Sequence, residues 1–99
     1  MKSLEYISRR FAREPSIVSR KIAGEFILVP IKQKAGEIES IYSMNEAAGR
    51  IWELIDGEKQ AVEIRDAIIR EFEVSMEEAE TDLIEFLRQL EKHNFVKTV

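Results

Sequence analysis

The chain has 99 residues, 44% hydrophobic and 34% charged, a composition for one folded domain and not for a disordered segment. It contains no cysteine, which excludes disulfides, thiolate metal sites and cysteine nucleophiles. No apolar run reaches the ~18 residues of a membrane span, and the start M-K-S-L-E-Y-I lacks the apolar core of a signal peptide, so a cytoplasmic location is expected. The net charge of −4 is unevenly spread. Residues 1–34 carry eight Lys and Arg against three Glu, and residues 35–99 carry seven against sixteen Asp and Glu. Such a split marks either two solvated faces or an end that steers a partner of opposite charge.

Residues 1–14 fit a short helix or an exposed arm. Leu4, Ile7 and Phe11 have helical spacing, Arg9, Arg10 and Arg13 are charged, and Pro15 ends the segment. The Arg cluster favours the arm. A domain is then expected over residues 15–99. Its first elements are two β-branched runs, 17–22 and 25–31, which read as a hairpin around Ala23-Gly24. Ala disfavours positive φ, so a turn longer than two residues is expected. Pro30 belongs near a strand end. After a polar loop at 32–37, Ile38–Met44 reads as a third strand, which lies at the sheet edge in a simple meander.

Asn45–Gly57 is the hub. Asn45 is a helix N-cap, and Ala48, Ile51, Trp52 and Ile55 form one apolar helical face. Gly49 costs about 1 kcal/mol relative to Ala inside that helix; a close backbone approach or a tolerated weakness would explain it. Gly57 is expected as the residue that terminates the helix. A second helix runs from Gln60 or Ala61 to Glu71, with Gln60 a weak cap. A third opens on the capping box Ser75-Met76-Glu77-Glu78 and continues to about Lys92. Its stripe is Ala79, Leu83, Phe86, Leu87 and Leu90, and Asn94 closes it in the left-handed region so that Phe95 and Val96 fold back. The fold class is α+β, a winged helix-turn-helix-like arrangement of a three-stranded antiparallel sheet followed by three helices.

Catalytic chemistry is scarce. The sole histidine, His93, sits at a helix end where a cation suits the dipole. No Ser-His-Asp set or phosphate-binding glycine loop is present. The paired carboxylates resemble the wet face of a helix more than an acid–base dyad, and no loop has the ligand spacing of a Ca²⁺ site. No enzyme, cofactor or metal is expected. A winged helix raises DNA binding as an alternative, through the basic N-terminal half. The third helix argues against it, because residues 75–93 carry six acidic side chains against Arg88 and Lys92, and phosphates repel such a helix. What remains is an interaction module. An edge strand can accept a peptide strand through main-chain hydrogen bonds, with the third helix as the other wall.

The run N-E-A-A-G-R-I-W-E-L-I-D-G at 45–57, V-E-I at 62–64, D-L-I-E-F-L at 82–87 and the closing N-F-V resemble the PqqD family. That family serves pyrroloquinoline quinone biosynthesis, and its fold also recognises ribosomally made, modified peptides. The likeness covers about residues 11–97. Ala47-Ala48-Gly49 stands where the family commonly has Thr-Gly-Ala, and Lys59-Gln60 where it has Arg-Thr, which leaves the quinone pathway and other peptide pathways both open. The resemblance implies a non-catalytic peptide chaperone that binds the leader of a precursor peptide and presents it to a modifying enzyme, often a radical S-adenosylmethionine enzyme. The positions it implies for peptide binding are Ile41, Tyr42 and Ser43 on the strand and Asp82, Leu83, Phe86 and Leu87 on the helix. Whether the chain forms a homodimer is left open.

Overall fold

The computed structural model describes residues 2–31 and 42–99. Apolar spacing and capping set its helices. Helix α1 spans Lys2–Ile7, α2 Glu46–Leu54, α3 Ala61–Phe72 and α4 Met76–Lys92. The strands are β1 (Phe11–Arg13), β2 (Ile17–Ile22), β3 (Glu25–Pro30), β4 (Tyr42–Met44) and β5 (Val96–Thr98). Strands β2, β3 and β4 form an antiparallel sheet in that order. The expected three strands and three later helices are therefore present, and two further strands and α1 join them.

The β2–β3 hairpin turns on two residues. Ile22 pairs with Glu25, and Ala23 and Gly24 have φ of 52° and 83°. Positive φ at both central positions matches the right-handed twist of the strands, so Ala23 accepts a conformation it disfavours, against the longer turn expected. Pro30 ends β3 opposite Ile17, where its missing donor costs no bond within the strand. Strand β4 pairs with β3 through Phe26–Met44 and Ile27–Ser43. Among the described residues its other side meets no strand. Only Tyr42–Met44 of the expected third strand lies within the described residues.

Residues 1–14 are not an exposed arm. Tyr6, Ile7 and Phe11 are buried in the core, and β1 pairs antiparallel with β5. The Tyr6 hydroxyl donates to the Glu91 carboxylate of α4. Burial and that carboxylate both push the phenol above its ordinary value. Arg9 and Arg88 stand over the two sides of its environment, each guanidinium 5.3 Å from the ring centroid. Phe11, of which the sequence pattern made a helical position, instead anchors the first strand.

Helix α2 carries the core at its centre. Ile51, Trp52 and Ile55 are buried, and Trp52 is 1% exposed. The Asn45 side chain accepts from Ala48 N–H at 2.8 Å and opens the helix. The helix stops at Leu54, earlier than Gly57. Gly57 lies beyond, at φ 83°, donating to the Phe11 carbonyl at 2.8 Å. Asp56 accepts from the Glu58 and Lys59 amides, each at 2.9 Å, and fixes this turn. Gly49 admits a side chain and not a backbone: a Cβ there would stand 2.8 Å from Cγ of Phe26.

The last two helices split a capping box between them. At α3, the Glu63 carboxylate accepts from the Gln60 amide at 2.7 Å. At α4, the Ser75 hydroxyl accepts from the Glu78 amide at 3.1 Å. Arg65 reaches from α3 to Glu80 of α4 at 2.8 Å, and Arg50 reaches from α2 to Glu71 of α3 at 2.8 Å. Beyond α4, Asn94 has φ 61° and the Phe95 amide donates to the Leu90 carbonyl at 2.9 Å. This left-handed close turns the tail back, so that Phe95 and Val96 are buried and β5 begins.

Candidate functional site

Two features meet on one side of the molecule: the unpaired edge of β4 and the face of α4 beside the start of α2. Ser43 is exposed and Met44 buried, so the strand alternates between solvent and core as its pleat requires. Asn45 follows at once and caps α2. Between α2 and α4 lies a pocket of about 260 Å³. Its floor is Ala47, Ala48, Ile51 and Phe86, and its rim is Asn45, Asp82, Glu85 and Gln89. The four α4 residues lie at i, i+3, i+4 and i+7, one continuous helix face.

The structure divides the residues named from sequence. Asp82 and Phe86 lie on that pocket. Leu83 and Leu87 do not: both are fully buried with Leu90 in the core, one turn-edge round the helix, where no guest can touch them. Ser43 is exposed on β4, close in sequence to the pocket. Ile41 lies outside the described residues. Tyr42 pairs with Leu28. Sequence reasoning did not name Asn45, Ala47, Ala48, Ile51, Glu85 or Gln89. Helical spacing from Asp82 already placed Glu85 and Gln89 beside it, and that signal was available.

Charge distinguishes the two ends of the molecule. Asp82 and Glu85 form no ion pair or hydrogen bond with another described residue. The N-terminal arginines are engaged within the chain. Arg9 stands over Tyr6, Arg13 over Trp52 at 5.8 Å, and Arg10 Nε donates to the Glu58 carbonyl at 2.9 Å. A second depression, about 670 Å³, lies at the β2 edge between Arg13, Lys21, Phe26 and Trp52. There the Lys21 ammonium lies 5.3 Å from the Phe26 ring centroid. It is larger than the first pocket but remote from β4 and α4. Among the described residues no group of three or more His, Asp or Glu is placed to hold a metal ion, and no helix is long and apolar enough to cross a membrane.

Comparison with known proteins follows this geometry. A solved structure, "TbiB1 in Complex with the TbiA(beta) Leader Peptide", superposes with a TM-score of 0.68 at 28% identity, covering 87% of this chain and 94% of that one. A comparison with the curated proteins gave no match. No finding supports DNA binding. The profile of the family described as coenzyme PQQ synthesis protein D (PqqD) matches residues 25–96, from the start of β3 to the first residue of β5. The chain belongs to the PqqD family.

Proposed function

We propose that this chain is a non-catalytic recognition protein that binds the leader of a ribosomally made precursor peptide by strand addition and presents it to a modifying enzyme. The observation that carries this reading is the unpaired β4 edge beside the α4 pocket, in a member of the PqqD family. TbiB1, its structural neighbour, is described in complex with a leader peptide. A guest strand beside β4 gains main-chain hydrogen bonds that an edge otherwise gives to water. In this reading Ile41, Tyr42 and Ser43 form the strand contact. Asp82 and Phe86, with Glu85 and Gln89, form the helical wall. Leu83 and Leu87 hold that wall in place from behind.

The partner enzyme in this proposal is of the radical S-adenosylmethionine type, as the family resemblance implies, and the setting is cytoplasmic. Delivery is tested with purified components: the chain, a candidate enzyme, and its precursor with and without the leader. The chain should accelerate modification of the full precursor and leave the leaderless peptide unaffected. Equal rates with and without the chain would overturn the delivery role. Sedimentation of the chain alone and with enzyme tests the homodimer and separates delivery from scaffolding.

A further inference from the structure

Resting on the leader-binding reading above, we propose that the pocket between the start of α2 and α4 is a specificity subsite for one lysine or arginine side chain of the bound leader. Its size argues for a side chain. About 260 Å³ falls below the roughly 300–1,000 Å³ of sites that take whole small molecules. Its lining argues for a particular kind. The floor of Ala47, Ala48, Ile51 and Phe86 is apolar, and two carboxylates, Asp82 and Glu85, stand on the rim. A lysine or arginine presents the matching sequence, an aliphatic stem that packs on apolar surface and a cationic head that stays at the rim.

Charge supports the same occupant. Neither Asp82 nor Glu85 is paired with another described residue. The nearby cations are turned elsewhere: Arg88 of α4 stands over Tyr6, and Arg50 of α2 binds Glu53 and Glu71. The N-terminus of α2 also faces this region, and its dipole equals about half a positive charge. Two full carboxylates outweigh it. Placement completes the argument. Asn45 lies on the rim and directly follows β4, so a guest strand on the β4 edge passes the pocket mouth. Its alternate side chains then point toward the helix wall.

The probe is a set of fluorescent twelve-residue peptides enriched for binding from a random display library. Each is checked by amide shifts at Ser43 and Met44. One basic position should recur among peptides that shift those amides. Replacing it by glutamine should weaken binding about five- to tenfold at low salt, the strength of one or two partly exposed ion pairs, and less at high salt. The D82N/E85Q protein should bind the parent peptide as weakly as wild type binds the glutamine peptide, with no further loss when both are changed. D82K/E85K should reverse the preference toward glutamate. Both side chains are exposed, so these variants fold, as unchanged thermal melts will verify. Peptides that shift Ser43 and Met44 yet show no basic preference would overturn the subsite and leave leader binding standing. Absence of any peptide that shifts those amides would overturn leader binding, and the subsite with it.

Discussion

Gly49→Ala tests how closely α2 is seated on the sheet. Two effects oppose each other. Alanine favours a helix interior by about 1 kcal/mol over glycine. The added methyl, however, would stand 2.8 Å from Cγ of Phe26 and 3.0 and 3.1 Å from its two Cδ atoms. Carbon atoms prefer separations of about 3.5–4.0 Å, so the ring must retreat by roughly 0.7 Å. Cγ is fixed to Cβ, and ring rotation cannot relieve the clash. Either the whole side chain or β3 must move. Overpacking of this kind costs about 1–3 kcal/mol, so the net loss is up to about 2 kcal/mol. The assay is urea unfolding followed by circular dichroism, with an unchanged slope. In a Phe26→Leu background the same change should become neutral or stabilising. Phe26 also pairs with Met44, so Gly49→Ala should weaken peptide binding at β4 as well. A Gly49→Ala protein about 1 kcal/mol more stable than wild type would refute the packing argument.

Trp52→Ala should cost about 3–5 kcal/mol, because the ring is 1% exposed; a thermal melt close to that of wild type would show that α2 is not the hub. The Lys59 ammonium and the Lys59 and Glu58 amides hold the Asp56 carboxyl well below its usual range. A depressed folded value contributes stability above the ordinary carboxylate range and loses it as pH falls below about 4. Asp56→Asn should therefore flatten the acid limb of the stability curve, and an unaltered limb between pH 5 and about 2 would contradict this. Tyr6 has the opposite sign: its raised value makes its contribution complete below 10.0 and lost as pH rises further. Tyr6→Phe should lose about 1.5 kcal/mol at neutral pH and show a smaller alkaline decline by chemical denaturation.

Periodicity and capping made much of the helical layer legible. Asn45 and Ser75 accept from the amides three residues on, and the stripe from Ala79 to Leu90 is buried throughout. The β1–β5 pair was not legible. Each strand has three residues, too few to display alternation, and Phe11 finds its partner at Thr98 across nearly the whole chain. The α4 site was half legible for a different reason. An apolar stripe wider than one core edge does not reveal which flank the core takes. Packing of α4 against α2 and α3 decides it, burying Leu83 and Leu87 and leaving Asp82, Glu85 and Gln89 outward. The reason for Gly49 likewise lay in Phe26, whose position only the folded sheet defines.

The central claim is that a leader occupies the β4 edge. Its most direct measurement is an amide NMR titration of the labelled protein with the leader of the precursor encoded beside this gene. The account predicts saturable shifts at Tyr42, Ser43 and Met44 and along Asp82–Gln89, with β2 unmoved. Saturable shifts confined to the β2 edge, or none at either place, would contradict it.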